Sequence, residues 1–185
     1  MPPNTDHVAH ILEQWETELP DLPAAPARVI ARILRAARHL DHEIGRSLSV
    51  YGLSNREFDV LSALRRSGKP YALTASELGH AILFSSGGLT KLLERLERAG
   101  LVAREQDPHD RRVVRVALTD VGRELQETAM APDLENQERL LAPLDSEQRE
   151  TLARLLQSLL VGFELTDTRW PLQRRRPSPP RPGQR

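Results

Sequence analysis

Residues 73–119, LTASELGHAILFSSGGLTKLLERLERAGLVAREQDPHDRRVVRVALT, carry the pattern that decides the fold. Thr74-Ala75-Ser76-Glu77 forms a capping box, in which the threonine hydroxyl accepts from a first-turn amide and the glutamate answers the cap residue's own N–H. The helix it opens is short. A second helix begins among Ser85-Ser86-Gly87-Gly88, sets Leu89, Leu92, Leu93 and Leu96 on one face, and stops at Gly100, a residue suited to a C-cap. Residues 101–104 and 113–118 read as strands around the basic turn Asp107-Pro108-His109-Asp110-Arg111-Arg112. The stretch is a two-helix reading unit followed by a hairpin wing.

Upstream, Asp6 caps a first helix with Val8, Ile11, Leu12, Trp15 and Leu19 at helical spacing, ending before Pro20. Pro26 suits the first turn of a long helix whose apolar stripe is Val29, Ile30, Ile33, Leu34, Ala37, Leu40, Ile44 and Leu48. Gly45 weakens it by roughly 0.5–1 kcal/mol relative to alanine and marks a bend or a close approach. Gly52 ends it, and Ser54-Asn55-Arg56-Glu57 is a second capping box leading into Phe58, Leu61 and Leu64. Downstream, Thr119 caps a helix through Leu125, Met130 and Leu134, with a kink expected at Pro132. Asp145 starts a last helix through Leu152, Leu155, Leu156, Leu159, Leu160 and Phe163. The terminal helices carry more apolar surface than a small reading domain covers, so a second copy related by two-fold symmetry is expected.

At 185 residues, with 4% aromatics, the chain suits one mostly helical domain with appendages. No run approaches the ~18 apolar residues that span a bilayer, and no basic-then-apolar leader opens the chain. A cytoplasmic protein without membrane contact is expected. With no cysteine, disulfides, zinc thiolates and thiol redox sensing are excluded. The formal net charge of zero hides a division, because six arginines and no acid follow Asp167 and the preceding residues carry the balancing negative charge. An acidic body does not exclude DNA, since the local face sets the field at a contact. The proline-rich residues 171–185 are expected to be disordered, their arginines either adding salt-dependent phosphate affinity or acting as a solubilising tail. Without a glycine-rich phosphate loop, a nucleophile elbow or an acid–base pair, neither an enzyme nor a cofactor is expected. His7 with His10, and His39 with His42, lack the further ligands of a metal site.

A helix that enters the major groove needs small polar groups at its leading end and apolar residues only behind. Ser85, Ser86 and Thr90 supply hydroxyls, while Gly87 and Gly88 let the backbone approach phosphate at a helix end that favours anions. Lys91 and Arg95, four apart, put two cations on one surface. At the wing, Asp110 precedes Arg111 and Arg112. A protruding pair of arginines suits the minor groove, and Asp110 is placed to pair with one of them and fix its direction. Winged folds also serve protein contacts, so a protein-binding module stands as the alternative.

Residues 78–122 resemble the MarR family of multiple-antibiotic-resistance regulators. The matching pieces are Ser86-Gly87-Gly88-Leu89-Thr90, Arg95-Leu96-Glu97, Gly100-Leu101-Val102-Ala103-Arg104, Asp110-Arg111-Arg112 and Leu118-Thr119-Asp120-Val121-Gly122. The resemblance implies a mainly α fold with a small β-hairpin wing: a winged helix-turn-helix lobe at 53–119 and a dimerisation region made by both chain ends, 1–52 and 120–168, before the tail at 169–185. It also implies a homodimer that represses transcription from an inverted repeat in double-stranded DNA and leaves it when a small ligand binds.

A narrower likeness is to the urate-responsive branch of that family, through Ile11-Leu12-Glu13-Gln14-Trp15, Glu57-Phe58-Asp59-Val60-Leu61 and residues 64–71. That branch associates a tryptophan, an aspartate and two arginines with ligand response. Trp15, Asp59 and Arg104 stand at three of these positions, but Leu92 stands where the branch has arginine. Leucine cannot supply the charge-assisted pair an anionic ring needs, and neighbouring Lys91 is turned about 100° around the helix. The expectation is therefore a pocket at Trp15, Asp59 and Arg104 for a small aromatic or hydrophobic inducer rather than urate. Trp15 on an apolar face is more often helix-packing core, Asp59 reads also as a cap or the partner of a neighbouring arginine, and Arg104 as a phosphate contact or structural ion-pair residue. A regulator without any inducer is the remaining alternative.

Overall fold

The structure, a computed structural model, describes residues 6–21, 23–82, 86–107, 110 and 112–166. The elements in chain order are α1 (His7–Glu18), α2 (Ala25–Ser49), α3 (Asn55–Arg66), β1 (Ala72–Thr74), α4 (Ala75–Ala81), α5 (Ser86–Arg98), β2 (Val102–Gln106), β3 (Val114–Leu118), α6 (Asp120–Leu140) and α7 (Ser146–Thr166). They fall into two compact units, residues 1–140 and residues 141–185.

Local chemistry sets most boundaries. The Asp6 carboxylate accepts from the Ala9 amide at 2.8 Å and starts α1. Both predicted capping boxes form: Ser54 N–H donates to the Glu57 carboxylate and Thr74 N–H to that of Glu77, each at 2.8 Å. Gly52 and Gly100 follow α2 and α5 with φ of 70°, and Gly68 follows α3 with φ of 81°, the left-handed conformation that costs glycine no Cβ clash. In the second unit Asp145 and Gln148 exchange side-chain and backbone hydrogen bonds of 2.9 and 3.0 Å at the start of α7.

The first unit is built on α3, which buries Phe58, Val60, Leu61, Ala63 and Leu64 among Leu78 of α4, Leu89, Leu93 and Leu96 of α5 and Val116 of β3. Complete burial of a leucine is worth roughly 1.5–3 kcal/mol, so these contacts fix how the helices cross. The wing has a third strand that the hairpin pattern did not announce. β1 pairs antiparallel with β3, Leu73 opposite Val116, giving the sheet order β1-β3-β2. Gly45 meets the expectation of a close approach: an added Cβ would stand 3.1 Å from Asn55 Oδ1.

Helix α6 runs through Pro132 without ending. Its inward face is Gly122, Gln126, Ala129, Asp133 and Asn136, while Met130 and Leu134 are exposed. The start of α6 is pressed onto the entry to the wing, since a Cβ on Gly122 would lie 2.0 Å from the Leu101 carbonyl oxygen. Of the α2 stripe only Leu48 is buried; Val29, Ile30, Leu34 and Leu40 are exposed, as are Ile11, Trp15 and Leu19 of α1. Within the second unit, α7 likewise exposes Leu152, Leu155, Leu156, Leu160 and Phe163. No helix among the described residues is long and apolar enough to cross a membrane.

Candidate nucleic-acid interface

Helix α5 follows the short α4 and opens at Ser86-Gly87. Its rear face is the buried Leu89, Leu93 and Leu96, so Thr90 and Lys91 project outward, both exposed. Ser85 lies outside the described residues.

Arg95 has an assignment within the lobe that the sequence pattern did not reveal. Its Nε and Nη2 each stand 2.6 Å from the carboxylate of Glu57, which is 3% exposed. The carboxylate that completes the cap of α3 thus also holds α5. The guanidinium remains partly exposed, so Arg95 presents charge to solvent while it ties the two helices together.

At the wing, Arg112 donates through Nε and Nη2 to the two oxygens of Asp110 at 3.0 and 3.1 Å, and its backbone N–H adds a bond of 3.0 Å to Oδ1. These bonds hold the Asp110 carboxyl below the usual carboxylate range. Arg112 is 90% exposed, and the bidentate pair gives a solvent-facing cation a direction. Arg111 lies outside the described residues.

Under the tip sits Asp107, 7% exposed. It accepts from the Asp110 amide at 3.1 Å and takes a short contact from Arg115 Nε. Arg115 in turn approaches Glu77 of α4 at 3.9 Å. The wing is therefore braced against the short helix that precedes the reading helix.

The three residues expected to line a ligand pocket are not gathered by the lobe. Trp15 is half exposed on α1, and Arg104 on β2 pairs with Glu97 of α5 at 3.3 Å. Asp59 borders a cleft of 360 Å³ between α2, α3 and α6 whose lining includes neither of the others. Burial raises the pKa of the Asp59 carboxyl; Arg66 opposes that shift, while Asp133 and Asp41 reinforce it. The described residues hold no group of three or more histidine or acidic side chains able to share a metal ion.

A three-stranded wing behind a helix-turn-helix, with an aimed arginine at its tip, defines a winged helix-turn-helix protein. The MarR family's sequence profile matches residues 51–113. The HTH-type transcriptional regulator PecS of Dickeya dadantii is 38% identical over 149 residues, covering 80% of this chain and 90% of that protein. Among solved structures, a mutant of Escherichia coli MarR complexed with operator DNA superposes with a TM-score of 0.68 at 27% identity, over 76% of this chain and 99% of that one. Bordetella bronchiseptica BpsR, whose DNA binding is regulated by 6-hydroxynicotinic acid, gives 0.65 at 27% identity, over 71% and 91%. The chain belongs to the MarR family, and is a non-enzymatic, DNA-binding regulator of transcription.

Proposed function

We propose that the chain works as a homodimeric repressor that grips an inverted repeat in double-stranded DNA and leaves it on binding a small aromatic or hydrophobic ligand. The observation that carries this reading is the wing tip, where an arginine 90% exposed is nevertheless held in a bidentate pair by Asp110. A cation kept in water only for solubility has no need of such aim. The leading residues Ser85, Ser86, Gly87, Thr90 and Lys91 would read the major groove, while Arg95 adds charge beside them. Arg111 and Arg112 would position the lobe along the minor groove.

The exposed apolar residues of α1 and α2, and separately those of α7, support a dimerisation region drawn from residues 1–52 and 120–168, with 53–119 as the reading lobe. A sensor drawn from Trp15, Asp59 and Arg104 follows the likeness to the urate-responsive branch, with Leu92 removing the arginine an anion would want. The E. coli MarR complex and BpsR supply the precedent for operator binding and for its control by a small molecule.

Selection of bound duplexes from a random pool tests the reading directly. An inverted repeat with half-sites about one turn, roughly 34–36 Å, apart is expected. Replacing Arg111 and Arg112 together with alanine weakens binding to the selected duplex and lowers the salt dependence. A monomer with no preference for any duplex, indifferent to those substitutions, overturns the proposal and leaves a protein-binding module.

A further inference from the structure

The first half of α6 meets the reading lobe at successive places. Gly122 is pressed onto the Leu101 carbonyl, where no Cβ fits. One turn on, Gln126 Nε2 donates to Ser62 Oγ of α3 at 3.4 Å. Beside it, Glu127 Oε1 takes Arg65 of α3 through Nε at 3.1 Å and Nη2 at 2.9 Å, while Arg123 Nη1 stands 3.6 Å from Oε2. The Arg65 guanidinium also lies over the Tyr71 ring, 4.8 Å from its centroid. Tyr71 leads into β1, and its carbonyl accepts from the Leu118 N–H at the end of β3 at 3.0 Å. Its φ of 61° is disfavoured for an aromatic residue and persists only where neighbours over-determine it. Further along α6, Asn136 Nδ2 donates to the Glu43 carbonyl of α2 at 3.4 Å. One side chain therefore joins α3, the root of the wing and the helix that continues toward the dimerisation region.

We propose that Arg65 sets the angle between each reading lobe and α6, and through that angle the half-site spacing the dimer accepts. The inference rests on the homodimer reading above and names a residue that determines its spacing specificity. A partly exposed ion pair adds little stability, so the consequence of this one is directional. Two donors on one oxygen and a ring against the guanidinium fix a geometry that an ammonium does not reproduce. With Gly122 pinned, Glu127 stands five residues along the helix, about 7.5 Å from the pivot. Each ångström of slack at Arg65 then turns the lobe by about 8°. Half-sites about 34 Å apart give a lever of about 17 Å, so that turn carries a lobe about 2 Å, most of a base-pair step of about 3.4 Å. Neighbouring Arg66 bonds instead to the Ala81 carbonyl of α4 at 2.6 Å, within the lobe, and serves as the control.

The test titrates the full chain, at one salt concentration, against its selected inverted repeat and against the same duplex with the spacer one base pair longer or shorter. The wild-type chain should lose at least about tenfold in affinity on either change. Arg65→Gln and Glu127→Gln should each cut that penalty to about threefold or less, Arg65→Lys should fall between, and Arg66→Gln should keep the wild-type penalty. Thermal melts establish that all four variants are folded. A full spacing penalty retained in folded Arg65→Gln and Glu127→Gln overturns the inference alone and leaves the pair a structural one. Equal relaxation in Arg66→Gln overturns it too, because any loosening of α3 would then suffice. A lower salt slope in Arg65→Gln but not in Glu127→Gln, with spacing preference intact, makes Arg65 a phosphate contact instead. A wild-type chain that selects no inverted repeat overturns the homodimer reading and this inference with it.

Discussion

Removing the Arg95 side chain separates two roles that the sequence alone could not. Glu57 Oε2 has donors from Ser54 N–H at 2.8 Å, Ser54 Oγ–H at 2.7 Å and Arg95 Nη2 at 2.6 Å. Oε1 is held by Arg95 Nε at 2.6 Å. Arg95→Ala therefore strips a carboxylate 3% exposed of the guanidinium paired with it while the cap bonds survive. Breaking a fully buried pair costs about 3–5 kcal/mol, and an exposed one about 0–1 kcal/mol. Arg95 is 59% exposed, so water enters as the guanidinium leaves, and the expected cost is about 1–3 kcal/mol. In urea, with a slope of about 1–3 kcal/mol per molar, a 2 kcal/mol loss lowers the midpoint by roughly 1 M. Circular dichroism of the full chain measures it. A double-mutant cycle with Glu57→Gln should return a coupling of at least about 1 kcal/mol. Arg95→Lys should recover only part of the loss, because an ammonium is a point charge rather than a fork. A midpoint unmoved to within about 0.2 M, alongside a tenfold fall in duplex affinity, would refute the argument and make Arg95 a reader of DNA alone.

Other outcomes follow from the same geometry. Gly122→Ala should cost about 3 kcal/mol or more in thermal unfolding, because its Cβ meets the Leu101 carbonyl oxygen at 2.0 Å and backbone must shift. Gly79→Ala, whose Cβ meets only Leu89 Cδ2 at 3.6 Å, should instead gain up to about 1 kcal/mol. Asp59 has a raised folded pKa, so the native state holds its proton longer than the unfolded chain and stability falls as pH rises through that window. Asp59→Asn should thus raise the urea midpoint at pH 7, with the gain vanishing as the pH falls below the ordinary value of 3.8. Asp110→Ala leaves Arg112 charged but unaimed, and should weaken duplex binding less than replacement of both wing arginines; an equal or larger loss in a gel-shift titration would show that the carboxylate itself makes the contact.

What could be read from the sequence was what neighbours within a few residues decide. Asp6, Ser54, Thr74, Thr119 and Asp145 all act as caps, because a cap and its target amide lie three residues apart. The pairing of Asp110 with Arg112, two positions away, was legible for the same reason. Strand β1 was not, since its partner lies more than forty residues along the chain and three residues carry no alternation to speak of. Arg95 was read as a free cation because the acid that claims it sits 38 positions earlier. The inward face of α6 was missed for a different cause. Apolar periodicity pointed to Met130 and Leu134, yet the face turned inward is Gln126, Asp133 and Asn136, where Gln126 bonds Ser62 of α3 and Asn136 the Glu43 carbonyl of α2. The glycine of Leu118-Thr119-Asp120-Val121-Gly122 was visible as part of a family likeness, but not the backbone contact that excludes any larger residue there.

The two aspartates of the wing divide the labour of presenting a charge. Asp107 belongs to the mount: it ties the loop to β3 through Arg115 and to the start of the tip through the Asp110 amide. Asp110 belongs to the fitting that the mount carries. A wing assembled in this way can exchange the side chains at its apex while its bearing on the rest of the lobe stays put, provided position 107 keeps its carboxylate.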